Sequence, residues 1–181
     1  MKIKKSIIKF IIPIAVMATL IAVCITCWSP FALAKSNNRP SSYLLDQNLK
    51  SQIASETMNM TGEEIREYSC KKTARLLSFT AKNDIVHGKA NCVGYAQLYA
   101  GICNYACQVN GLDCTAKPVV GYIMFYNINL CNALTKCMPN KHWKNFVKDH
   151  DFVEFHMNNS IIYSDACLYD LIGTDCMTIK E

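Results

Sequence analysis

Gly88-Lys89-Ala90-Asn91-Cys92-Val93-Gly94-Tyr95-Ala96-Gln97-Leu98-Tyr99-Ala100 is the stretch on which the fold turns. A polar loop ends at a cysteine, and small and apolar residues then run almost without interruption to Val109. That pattern predicts a buried helix from Cys92 to about Asn110, closed by Gly111 as a left-handed cap. The first turn of a helix leaves backbone N–H groups unpaired and carries the positive end of the helix dipole. Both stabilise a thiolate, the nucleophilic form of cysteine. Cys92 is therefore the first residue to weigh as a catalytic group, against the ordinary duty of an exported cysteine as a disulfide partner.

Upstream of this stretch, Thr61-Gly62-Glu63-Glu64 is a capping box that starts a helix reaching about Phe79. Thr80 to Asn91 is a polar loop, and Tyr43 to Met58 is weakly helical. Downstream, Cys114 to Tyr126 is rich in β-branched and aromatic residues and predicts a strand, with Pro118 arguing for an edge or a bulge. Asn127 to Asp149 reads as an inserted loop whose Cys131 and Cys137 would be stapled to each other or to a neighbour. Asp151–Met157, Asn158-Asn159 and Ser160–Ala166 predict a hairpin, since two Asn residues tolerate the positive φ of a two-residue turn. The tail from Cys167 would be tied down through Cys167 or Cys176. Helices first and strands afterwards indicate an α+β domain.

The N-terminus has its own character. Lys2, Lys4, Lys5 and Lys9 precede the uncharged run Phe10–Ala34, which closes on the small-x-small tripeptide Ala32-Leu33-Ala34. Residues 1–34 are expected to be a signal peptide. The alternative is an uncleaved anchor, because Phe10 to Trp28 nearly reaches the length of a membrane span. Pro13 and Pro30 favour cleavage. The expected organisation is then 1–34 signal peptide, 35–60 linker and N-terminal helical region, and 61–181 the folded domain, exported to the periplasm or beyond the cell. Membrane contact is expected only if the first segment stays attached.

Charge names no partner. The formal net charge is +5, but four of the 19 Lys and Arg and none of the 14 acids precede residue 35. The rest is close to neutral, and no basic patch points to nucleic acid. The chain has 11 cysteines. Setting aside Cys24 and Cys27 leaves Cys92 with the disulfide candidates Cys70, Cys103, Cys107, Cys114, Cys131, Cys137, Cys167 and Cys176. That number is odd, so at least one thiol stays outside the pairing. Cys103 and Cys107 share a helix face and would suit a soft metal, but no histidine-rich set accompanies them, and a disulfide role is the stronger reading. No metal and no cofactor is expected.

A cysteine nucleophile needs a base, and the base needs an acceptor that orients it. The hairpin ranks the histidines. With Asn158-Asn159 as the turn, Glu154 faces Tyr163 and Phe152 faces Asp165, which puts His150 and Asp165 on one face as diagonal neighbours. His156 is on that face but too near the turn, His87 has no evident acid, and His142, followed by Trp143, stands as the alternative base.

These residues resemble a family. Cys92-Val93-Gly94-Tyr95-Ala96, His150-Asp151-Phe152-Val153-Glu154-Phe155 and Tyr163-Ser164-Asp165-Ala166 look like the bacterial transglutaminase-like, papain-related superfamily, over about Thr61 to Leu168. Phe152 stands where that family commonly has Trp, and Ala166 where it often has Pro. The resemblance implies a papain/transglutaminase-like core in which the central helix carrying the cysteine packs on an antiparallel β-sheet. It implies a Cys92-His150-Asp165 triad forming an acyl-thioester on a peptide or protein substrate, released to water or to an amine. The oxyanion would meet the Cys92 backbone N–H and a donor from the preceding loop, with Asn91 and Gly88 as candidates. The competing expectation is an inactive, disulfide-rich exported binding protein on the same scaffold.

Overall fold

The computed structural model describes residues 31–41, 43–125, 128–137 and 149–173. Residues 1–30 of the expected leader, the anchor alternative Phe10–Trp28, His142 and Cys176 lie outside the described residues. Phe31–Glu181 forms one compact unit. In chain order its elements are β1 (Phe31–Asn38), α1 (Gln47–Glu56), α2 (Gly62–Leu76), β2 (Ser78–Phe79), a 3-10 turn (Ile85–His87), β3 (Lys89–Ala90), α3 (Cys92–Val109), β4 (Cys114–Phe125), β5 (Ile128–Asn129), α4 (Leu130–Cys137), β6 (His150–Met157), β7 (Ser160–Ser164) and α5 (Ala166–Ile172).

The main sheet runs β1-β4-β6-β7, all antiparallel, with β5 pairing the end of β4. Helix α3 lies against β4 and β6 and is backed by α2. Its buried residues Tyr95, Leu98, Tyr99, Ile102 and Ala106 follow helical spacing and meet Val153 and Phe155 of β6 in the larger core. A smaller cluster of Leu33, Val119, Phe152 and Leu168 gathers elsewhere. Phe152 is two residues from His150 and shares its side of β6. The α+β architecture, with a helix on an antiparallel sheet, is thus present.

Local chemistry explains the borders. Thr61 accepts from the Glu64 backbone N–H while the Glu64 carboxylate accepts from the Thr61 N–H, closing the capping box of α2. The helix ends at Leu76, short of the expected Phe79. There Ser78 N–H donates to the Gly88 carbonyl and Thr80 N–H to the Ala90 carbonyl, which draws the chain into the short parallel pair β2-β3. Gly111 takes φ 64° at the end of α3, and Asn158 and Asn159 take φ 50° and 63° in the hairpin turn. The hairpin register pairs Glu154 with Tyr163.

Several expectations are corrected. Residues 35–38 are not linker: they form half of β1, and the 34/35 boundary falls inside a strand whose Leu33 is fully buried. β4 is an interior strand, not an edge. Pro118 is tolerated because its carbonyl already accepts from Arg39 N–H just past the last β1 pair, so the missing N–H points where the ladder ends. The described parts of the 127–149 stretch are ordered as β5 and α4 rather than as a loop.

The cysteines differ most from expectation. Cys107 is bonded to Cys114, joining the end of α3 to the start of β4. Cys70, Cys92, Cys103, Cys131, Cys137 and Cys167 remain thiols. Cys131 and Cys137 cannot bridge each other, because a helix with about 3.6 residues per turn sends them to different faces, one buried and one exposed. Cys167 does not staple the tail; it is buried in the first turn of α5.

Candidate active site

Asn91 caps α3, its Oδ1 accepting from Val93 N–H at 3.0 Å, and so places Cys92 at the first helical position. The preceding loop is locked onto this turn. Asn91 N–H donates to Asn83 Oδ1 at 2.9 Å. A Cβ at position 94 would stand 2.7 Å from both Asn83 Oδ1 and the Ala90 methyl, so Gly94 is what lets the loop approach so closely. Asn91 thus spends its Oδ1 and backbone N–H on the cap and the loop, while its Nδ2 donates to the Ala81 carbonyl at 3.5 Å. Gly88 closes the 3-10 turn at φ 70°, and its N–H donates to Ile85. Neither residue has a backbone N–H left for an oxyanion.

His150 opens β6 opposite Gly121 of β4. A Cβ at 121 would lie 1.9 Å from the Ala34 carbonyl oxygen of β1, so the third strand fits here only over glycine. The imidazole is buried, and its Nε2 donates to Asp165 Oδ2 at 2.5 Å. The other oxygen, Oδ1, accepts from the N–H groups of Cys167 (2.9 Å) and Leu168 (3.0 Å), so Asp165 also caps α5. One carboxylate thus orients the ring and is itself fixed by a helix. With Nε2 engaged, Nδ1 is the ring nitrogen left for Cys92, which lines the same small cavity. Burial alone would push the imidazole toward neutrality, but the Asp165 charge, its hydrogen bond and Cys92 together hold its pKa well above the ordinary value.

Two tyrosines one helical turn apart on α3 hold the surrounding elements. Tyr95 Oη donates to Asp170 of α5 at 2.6 Å. Tyr99 donates to the Arg66 carbonyl at 3.0 Å and shares a 2.8 Å bond with the Ser164 hydroxyl, the residue before Asp165. Burial pushes the Tyr99 phenol well up, so it stays protonated as a donor.

Arg39 is the residue that sequence reasoning missed. Its guanidinium grips the buried Asp151 carboxylate in a fork, Nε to Oδ2 at 2.7 Å and Nη2 to Oδ1 at 3.0 Å. That hydrogen bond, against the cost of burial and helped by the charges of Asp151, Asp149 and Cys92, raises the Arg39 pKa further. Residues 35–42 carry no periodic pattern. The usable signal was Asp151 itself, a carboxylate inside a strand that must find a cation. A second network joins Lys35, Glu154 and His156. Burial would raise the Glu154 carboxyl, but these two partners lower it. His87 pairs instead with Asp84 on the surface.

Cys92 and His150 line one small cavity of about 140 Å³. Larger hollows, about 390 Å³ at the hairpin turn and about 460 Å³ beside α1, contain neither residue. Among the described residues no group of three His, Cys, Asp or Glu side chains is arranged to hold a metal ion. A buried imidazole held between a carboxylate and a thiol at a helix start can accept the thiol proton and return it to a leaving group. In comparisons with protein-family models, curated proteins and solved structures, the chain matches none.

Proposed function

We propose that this chain is an exported cysteine-dependent acyl hydrolase or acyltransferase with a papain/transglutaminase-like core, acting on a peptide or amide bond. The observation that carries the reading is the buried His150 ring, bonded to Asp165 at 2.5 Å and lining one small cavity together with Cys92 at the start of α3. The order of helix-borne Cys, strand-borne His and Asp at the following strand end supports the core assignment. The basic, apolar N-terminus and the Cys107–Cys114 disulfide support export.

The chemistry follows from the geometry. Cys92 Sγ attacks the acyl carbon while its proton passes to His150, and the carbonyl π electrons move to oxygen. Collapse expels the amine, which takes the proton from the imidazolium, and leaves an acyl-thioester. Water or a second amine then attacks, giving its proton to His150, and the C–S bond breaks to restore the thiol. Asp165 keeps the ring in the tautomer that presents Nδ1 to sulfur and stabilises the imidazolium. The Cys92 backbone N–H at the helix start is the donor best placed for the oxyanion.

The test is turnover of an acyl-amide and peptide library by the protein, with and without an amine acceptor, alongside Cys92→Ala. Turnover lost in Cys92→Ala supports the enzyme, and a product carrying the amine identifies transfer. If no thiol reagent labels Cys92 at neutral pH and no amide is turned over, the chain keeps the scaffold as a binding protein.

A further inference from the structure

We infer that the acyl half of the substrate carries an uncharged apolar group of about one side chain in size, branched aliphatic or aromatic, which seats in the cavity beside Cys92. The inference rests on the enzyme reading above and deepens it.

The cavity wall contains both reacting groups and is otherwise almost wholly apolar. Ile123 comes from β4, Leu134 from α4, Leu168 and Leu171 from α5, and Phe79 from β2. Its floor is closed. Cys131 is 4 %, Cys167 1 % and Leu168 8 % exposed. Burial pushes the Cys167 thiol far up, so this sulfur stays neutral and adds no charge to the floor. Its rim is the opposite. Phe79, Leu134 and Leu171 are 37 %, 45 % and 54 % exposed, three large apolar side chains meeting water around one mouth. An exposed apolar rim over a buried floor is the form of a ligand groove, not of a closed core.

Size narrows the occupant. A cavity of about 150 Å³ lined by aliphatic and aromatic groups stays dry and takes benzene, and this one measures about 140 Å³. That is far below the roughly 300–1,000 Å³ of sites for whole drug-sized molecules, so one side chain enters and the rest of the substrate stays outside. Charge narrows it further. Asp149 is the carboxylate in the lining and repels an anionic group. Among the described lining residues no acceptor for an ammonium stands beyond that one carboxylate. With Cys92 in the wall, the group that fills the cavity belongs to the half of the substrate retained in the thioester.

The experiment uses the full chain and N-substituted chloroacetamides bearing methyl, isobutyl, benzyl, carboxymethyl or 2-aminoethyl groups. Each forms a Cys92 Sγ–carbon bond as the carbon–chlorine bond breaks and chloride leaves. Second-order rate constants for the Cys92 peptide, divided by those for a small free thiol, remove intrinsic reactivity. The expected order is benzyl and isobutyl fastest, at least about tenfold above methyl, given about fourfold per buried methylene. Carboxymethyl is slowest. Leu134→Glu and Leu171→Glu, both at exposed positions, reduce the benzyl-to-methyl ratio toward one. Equal normalised rates across the series with Cys92 still labelled overturn the apolar seat and leave the enzyme reading standing. Absence of Cys92 labelling by every probe overturns both.

Discussion

Asp165 has two duties that one substitution separates. In Asp165→Asn the side-chain oxygen can still accept from Cys167 and Leu168, since Asn is as good an N-cap as Asp. The amide nitrogen then faces His150 Nε2, donor against donor, and the ring loses the tautomer that serves Cys92. Turnover should fall about 10³–10⁴-fold, and stability by roughly 1–3 kcal/mol for the buried pair left unsatisfied while the cap of α5 is kept, read by library turnover and by urea unfolding. The raised pKa of His150 has a definite sign. A charged imidazole stabilised in the folded state contributes fully below its unfolded value, about 6.5, and the contribution is lost as pH rises through the higher folded value. The stability gap between the wild type and His150→Gln should therefore be widest near pH 6 and close on the alkaline side, as urea midpoints across pH will show. His150 and Asp165 were legible in the sequence because a two-residue Asn-Asn turn fixes which residues face one another. His150 was thereby preferred over the other three histidines without any long-range information.

At the level of elements, legibility followed locality. The capping box of α2, the start of α3 at Cys92 and its end before Gly111 are written in neighbouring residues, and they stand where the pattern put them. β1 was invisible for the opposite reason. Its apolar half, Phe31-Ala32-Leu33-Ala34, continues the leader's composition, and its polar half, Lys35-Ser36-Asn37-Asn38, reads as linker. Only pairing with β4, more than eighty residues away in sequence, makes it a strand. Cys107 and Cys114 lie only 7 residues apart, but eight candidate cysteines allow 105 connectivities, which is why this pair could not be singled out beforehand. The Arg39–Asp151 fork ties the chain leaving β1 to β6 beside the reacting histidine. Arg39→Met strands a buried carboxylate. The expected loss is roughly 1–3 kcal/mol, kept below the range of wholly buried pairs because the guanidinium is 38 % exposed. Arg39→Lys should restore only part of it, since an ammonium cannot fork across both oxygens. Urea midpoints of the three proteins measure this.

Across the whole molecule, the site is assembled from pieces of every layer. A helix supplies the thiol, an interior strand the imidazole, the cap of α5 the acid, and the residue just past β1 the cation beside them. β1 is the piece most remote from the chemistry in sequence, yet Leu33 is fully buried in the cluster with Phe152 and Leu168. A chain beginning at Lys35 should therefore be less stable than one beginning upstream of Phe31, by roughly 2–5 kcal/mol for the loss of that leucine alone, which comparison of their urea midpoints will reveal. A wider consequence concerns timing. The Ala34–Lys35 bond, the cut that Ala32-Leu33-Ala34 invites, lies within the ladder opposite Tyr122 and Gly121. A peptidase must hold that segment in its own groove, which it cannot do once β4 has claimed it. If the chain is cleaved at that bond, folding and cleavage compete for the same strand, and the outcome sets whether the finished sheet keeps its outermost member.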